Sequence, residues 1–290
     1  MQLAVNVLVL TALYAMLAEG FVLIYRASRV FNLAHGDVMM LGGYVLFTCL
    51  VATEGNLWAA VPLALAAGFI TGVAVYLAGI RPLAGYPVAS IVLVTVAIGI
   101  LIRSLATLVW SGQVRYPGNL LPFKDTPHPI WGNAVVSTLD LASIGVALVF
   151  FIVLVVLLQR TALGVRMRAA AENPRLAAAS GINIHRVIAL SWGLACFGAT
   201  LGALFYTTRV NLDPDSWLVG LRAFAPALIG GMNSPLGVLP GALIVALVEV
   251  VAAQYLDPIM VNSAPFIVLL LALWIRPWGL FGTREEVVRV

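Results

Sequence analysis

LDLASIGVALVFFIVLVVLL, residues 139–158, carries a single charge, Asp140, beside its first residue and is almost wholly apolar after it. About 20 residues of this kind, coiled as a helix, cross the hydrocarbon core of a bilayer. Working outward, comparable runs lie at residues 3–25, 36–53, 57–80, 88–110, 187–207, 217–233, 236–256 and 260–277. The run at 36–53 is short. The 217–248 region is interrupted by Gly230, Gly231, Asn233, Ser234, Pro235 and Gly237. It reads as two short crossings or as a re-entrant pair, since broken helices are tolerated where they line a cavity or pack inside protein. The whole chain of 290 residues is 62% hydrophobic and 10% charged, against roughly 25% charged in a soluble domain. That is too little charge to coat a globule, which excludes a soluble enzyme and an extracellular disulfide scaffold. The expectation is an all-α fold: a polytopic integral membrane helix bundle of about 8–9 transmembrane helices, forming one domain over residues 1–290.

The charges orient the bundle. Fifteen of the sixteen basic residues are arginine, with Lys124 the only lysine, and the net charge is +4. They cluster between apolar runs, which is the pattern of cytoplasmic loops beside lipid rather than of a nucleic-acid surface. Residues 160–186 hold Arg160, Arg166, Arg168, Arg175 and Arg186 against one acid, Glu172. The tail holds Arg276, Arg284 and Arg289 with Glu285 and Glu286. Nine crossings, with the N-terminus outside and the C-terminus inside, put these segments, Arg26, Arg29 and Arg81 on the cytoplasmic side. Eight is the alternative, with 217–233 not crossing. No Lys or Arg precedes Arg26, so the first run is expected to be a retained helix rather than a cleaved signal. The 111–138 loop, with Pro117, Pro122, Pro127 and Pro129 and with Trp110 and Trp131 nearby, falls outside.

Catalytic chemistry is not visible. His35, His128 and His185 lie in separate segments, no Cys-x-x-Cys or His-Glu-x-x-His spacing occurs, and Cys49 and Cys196 sit in apolar runs. No catalytic residue, metal site or cofactor is therefore expected on this chain. A phosphate-binding loop needs a lysine after its glycines, and Lys124 sits among prolines, so any ATP used belongs to another chain. Nor is there an acidic ring of the kind that lines channels.

Several polar features stand inside the apolar frame. Glu19, Arg103 and Glu249 fall within spans, where each costs roughly 2.5–3.5 kcal/mol at mid-bilayer. Either they pair or snorkel, or they mark a substrate path. Gly68 and Gly72, Gly198 and Gly202, and Gly237 and Gly241 repeat at four residues, which lets a neighbouring helix approach closely. YRASRVFNL (residues 25–33) and YTTRVNL (206–212) end the first and sixth spans, which run in opposite directions; this is a candidate inverted repeat. NLAHGDVMMLGGY (32–44) places Asn32, His35 and Asp37 beside Gly36 where two runs meet. It reads as a cytoplasmic hinge in contact with water or as a polar lining at the inner end of a permeation path. In AAAENPRLAAASGIN (169–183), Asn173 is placed to cap a helix, Pro174 to fill its first turn and Gly181 to end it left-handed. A cytoplasmic helix of about seven residues is expected there, either inserting into a partner or lying on the lipid surface.

These segments resemble a known family. NLAHGDVMMLGGY (32–44) is similar to the signature of the LivH-type permeases of branched-chain amino acid ABC transporters. GLRAFA (220–225) followed by LIGGM (228–232), RPWGLFG (276–282), and TALG (161–164) with AAASGIN (177–183) resemble further blocks in the family's order. The resemblance implies a pore-forming subunit of an ATP-binding cassette importer in the cytoplasmic membrane of a prokaryote. It would work with a second, homologous or identical permease subunit, two cytoplasmic ATPases and an external substrate-binding protein. Glu172, Asn173, Pro174, Arg175, Ala178 and Gly181 would form the coupling helix to the ATPase. Asn32, His35, Gly36 and Asp37 would sit near the inner end of the path. Relatives carry branched-chain or other amino acids, urea or short amides, and an ion-coupled secondary transporter is the alternative from a different class.

Overall fold

The structure, a computed structural model, describes residues 1–130, 134–256 and 258–282. Trp131 and the tail charges Arg284, Glu285, Glu286 and Arg289 lie outside the described residues. Among the described residues, seven helices are long and apolar enough to cross a membrane. They are α1 (Gln2–Ser28), α2 (His35–Ala52), α3 (Leu57–Ala74, continued by a π-helical turn Val75–Ile80), α4 (Val88–Trp110), α5 (Thr138–Arg160), α8 (Ile184–Arg209) and α11 (Pro235–Tyr255). Helix α12 (Pro258–Ile275) is a further apolar helix. Two short helices, α6 (Ala162–Glu172) and α7 (Pro174–Ala179), join α5 to α8, and two more, α9 (Trp217–Arg222) and α10 (Phe224–Gly230), lie between α8 and α11. An antiparallel hairpin, β1 (Pro127–Ile130) with β2 (Ala134–Ser137), pairs His128 with Val136 in the outer loop. It is the one two-stranded sheet among the described residues.

Local sequence sets many helix ends. Asn56 and Asn183 cap α3 and α8 through their side chains, and Ser137 and Asp140 form a reciprocal capping box at the start of α5, each satisfying amide groups that a helix leaves open. Gly68 and Gly72 both face α8, at Thr200 and Trp192, so the four-residue glycine spacing does bring two helices together.

The expected broken span is found at 217–233. Arg209 pairs with Asp140 at 2.7 Å and Leu212 pairs with Arg115 at the outer end of the bundle. Arg29 donates to Asn233 at 3.0 Å at the inner end. The chain therefore passes from one end to the other between these points. Residues 217–230 as helix measure about 21 Å, short of a hydrocarbon core of about 30 Å. Residues 210–213 and a 3-10 turn, Pro214–Ser216, make up the rest, the turn capped by Asp213, whose carboxylate accepts from the Asp215 amide at 3.0 Å.

Helix α2 also begins partway through the bundle. His35 Nε2 lies 3.1 Å from the carbonyl of Leu17, eleven residues before the end of α1, which is about 16 Å from the inner end. Residues 29–34 thus fold back into the protein before α2 starts. Helix α1 packs on α11 as α8 packs on α3, and α2 packs on α4 as α10 packs on α12. The stretches 25–33 and 206–212 cover the ends of α1 and α8, which pack against each other.

Candidate functional site: a charged cavity at the crossing of two half-helices

The half-helices meet at their glycines. A methyl group on Gly36 would strike the backbone of Trp217 and Leu221, and one on Gly220 would strike Gly36. Around this crossing every polar group of the 32–37 motif is turned inward. Asn32 accepts from the Ala34 amide at 3.1 Å, and the Leu33 amide donates to Thr95 Oγ1 at 3.1 Å. The His35 ring fills the notch above Gly20 and lies 4.5 Å from the Phe21 ring. Asp37 accepts from Arg103 at 3.0 and 2.9 Å, and the guanidinium of Arg103 lies 3.6 Å over the Trp217 ring.

Asn32, His35, Gly36 and Asp37 are all buried. Burial of all four removes the reading of this motif as a water-facing hinge. They sit about halfway along the bundle, where His35 meets α1 and Asp37 meets α4, while Asn32 Nδ2 and His35 Nδ1 are buried without a hydrogen-bond partner among the described residues. None of the four lines the cavity described next.

That cavity, of about 270 Å³, opens between the outer ends of α1, α5 and α8. Asp140 and Arg209 stand at its mouth. Val9, Leu10, Leu13, Phe205, Val219 and Val250 give it apolar walls, and Tyr14, Tyr206, Arg222 and Glu249 lie at its deep end. Arg222 Nη1 donates to Glu249 Oε1 at 3.1 Å and Nη2 to Asn262 Oδ1 at 2.6 Å. The Tyr14 hydroxyl donates to Glu249 Oε2. The two charged side chains are 16% and 10% exposed, so the pair is nearly, though not wholly, withdrawn from solvent. Of the three charges singled out inside spans, Arg103 and Glu249 are therefore paired. Glu19 is fully buried with neither carboxylate oxygen hydrogen-bonded.

On the inner side, Asn173 accepts from the Leu176 amide at 3.0 Å and starts α7, with Pro174 in its first turn. The Ile182 amide bonds to the Ala177 carbonyl, the Gly181 amide to that of Ala178, and Gly181 has φ +80°. This is the glycine-terminated helix end that an αL residue permits. Helix α7 has six residues. The stretch before it, expected as loop, is the separate helix α6, capped by Thr161 and folded back on α5 where Arg168 Nη1 donates to the Leu158 carbonyl. Glu172, Asn173, Pro174, Arg175, Ala178 and Gly181 are all exposed on this one surface.

Residues 3–273 match the family described as branched-chain amino acid transport system, permease component. The chain belongs to this family. It is a membrane permease subunit and not itself an enzyme. Curated relatives match over nearly the whole chain. The high-affinity branched-chain amino acid transport system permease protein LivH of Escherichia coli is 29% identical over 100% of this chain and 97% of its own length. The corresponding protein BraD of Pseudomonas aeruginosa is 26% identical over 100% and 98%. A probable branched-chain amino acid transport permease protein LivH of Methanocaldococcus jannaschii is 27% identical over 93% and 89%. No solved structure gives a significant match.

The permease brings its separate sequence blocks together. The Leu280 and Phe281 amides of RPWGLFG donate to the carbonyls of Ile229 and Gly230 in LIGGM, at 2.8 and 3.0 Å. Sequence reasoning singled out Glu249 but not its partners Tyr14 and Arg222. The available signal was Arg222 itself, a lone charge inside the apolar run 217–233.

Proposed function

We propose that this permease is the membrane subunit of an ATP-driven importer of branched-chain amino acids. Its expected partners are a second permease subunit, two cytoplasmic ATPases and an external binding protein; ATP is bound and split on the ATPases. The reading is carried by the cavity together with the full-length similarity to relatives named for these substrates. An aliphatic amino acid needs apolar wall for its side chain and a few charged or dipolar groups for its head, and the cavity offers both within one opening. Helix α7 is the proposed coupling element. Glu172, Asn173, Pro174, Arg175, Ala178 and Gly181 present a short, rigidly capped knob with exposed Leu176, of a size to seat in a groove of an ATPase. Asn32, His35, Gly36 and Asp37 serve the path by fixing where α2 starts.

The test is purification of the solubilised permease with its partners identified by mass, followed by uptake of L-leucine in proteoliposomes. The expected result is an ATPase that copurifies, is lost on Glu172→Ala with Gly181→Pro, and is required for uptake. Ion-driven uptake by this chain alone would overturn the reading.

A further inference from the structure

We infer that Arg222 and Glu249 form the head-group clamp of the permeation path, a subsite for a zwitterion at the deep end of the outer cavity. The inference rests on the amino acid reading above. Its first support is unused bonding capacity. A guanidinium has five N–H donors, and among the described residues Arg222 donates to Glu249 and Asn262 and lies in hydrogen-bonding reach of the Tyr14 hydroxyl. The remaining donors suit a carboxylate, the ligand that a guanidinium holds bidentately. Each oxygen of Glu249 takes one bond, from Arg222 or from Tyr14, and an ionised carboxylate has about four lone-pair sites. The free sites suit an ammonium group.

The second support is placement. Tyr14 lies twelve residues after the start of α1, about 18 Å below the outer end, so the pair sits near the middle of the bundle. Opposite charges held together there fit a ligand that is itself a pair of opposite charges. An anion or a cation alone would leave one protein charge unbalanced in a low-dielectric site, which is costly. The third support is the wall. Val9, Leu10, Leu13, Phe205 and Val250 lie between the floor and the mouth, where an aliphatic side chain attached to a clamped head group extends. At the mouth, Asp140 and Arg209 form a second ion pair that offers the same two charges one stage earlier.

The competing account is that the pair only fastens α9 to α11 and α12. The experiment uses the assembled transporter, with its ATPases and binding protein, in proteoliposomes. Import of radiolabelled L-leucine is compared for wild type, Glu249→Gln and Leu10→Trp. Glutamine keeps the size of Glu249 and an oxygen that accepts from Arg222, while its amide N–H replaces the oxygen that accepts from Tyr14 and donates to the tyrosine oxygen instead, and the charge is removed. Leu10→Trp narrows the apolar wall and touches neither charge. The clamp predicts that Glu249→Gln assembles at wild-type yield and imports roughly tenfold less, since a buried site built for a charged group loses strongly when a partner is missing. It also predicts a severalfold loss for Leu10→Trp. Leucine import within about twofold of wild type in both variants would overturn the clamp and leave the amino acid reading standing. A wild-type transporter that imports no aliphatic amino acid would overturn both.

Discussion

Two ion-paired clusters flank the crossing of the half-helices, and they differ in access. Asp37 with Arg103 and Trp217 joins α2, α4 and α9; its carboxylate is only 4% exposed and its arginine 30%, and neither charged group lines the cavity that holds Glu249. Glu249 with Arg222, Tyr14 and Asn262 joins α1, α9, α11 and α12, and both charged members line an open cavity. Similar chemistry thus serves two purposes. The closed cluster fixes where a half-helix begins, whereas the open one keeps spare bonding capacity facing a route from outside. A charge inside a membrane span is a functional candidate by default; access decides which of the two it is.

This contrast can be broken at several points. The largest effect is expected at the crossing itself. Gly36→Val drives a side chain into the backbone of α9, and overpacking of this kind costs about 1–3 kcal/mol or more. The yield of monodisperse protein on size-exclusion chromatography should collapse, while Gly145→Val, where a new Cβ meets nothing within 4 Å, should leave it unchanged. Next comes the closed cluster. Asp37→Ala strands Arg103; breaking a fully buried pair costs about 3–5 kcal/mol, and less is expected here because Arg103 is 30% exposed. Thermal unfolding should move down by several degrees, and Arg103→Met in the same chain should recover most of the loss.

Smaller effects belong to the inner and outer surfaces. Asn173→Ala removes the cap of α7, worth about 1 kcal/mol. Gly181→Ala forces a side chain into a left-handed conformation at a comparable cost. Both should reduce recovery of the ATPase without changing the melting of the bundle, since α7 lies outside it. The smallest change is expected from Arg209→Gln at the cavity mouth. Arg209 is 44% exposed, exposed pairs contribute little, and leucine import should change by less than about twofold with a weaker dependence on salt.

The sequence disclosed what depends on neighbours in the chain. Helix α7 was legible to within a residue or two because Asn173, Pro174 and Gly181 act locally. The apolar spans were legible because their length answers to the bilayer. The starting point of α2 was not legible. NLAHGD reads as a water-facing hinge until Leu17, Thr95 and Arg103, all distant in sequence, are seen to bind its polar groups. The cavity was hidden for the same reason: Tyr14, Arg222 and Glu249 come from three helices, and no spacing along the chain links them.

Cysteine accessibility tests the difference between the two clusters most directly. In a Cys49→Ser background, Val250→Cys places a thiol on the cavity wall and Val38→Cys places one beside the closed cluster, where Val38 is 1% exposed. A membrane-impermeant thiol reagent is added from the outer side of oriented vesicles. The account predicts rapid labelling at 250, slowed by added L-leucine, and none at 38. Labelling at 38, or no labelling at 250, would contradict the assignment of one cluster to the frame and the other to the path.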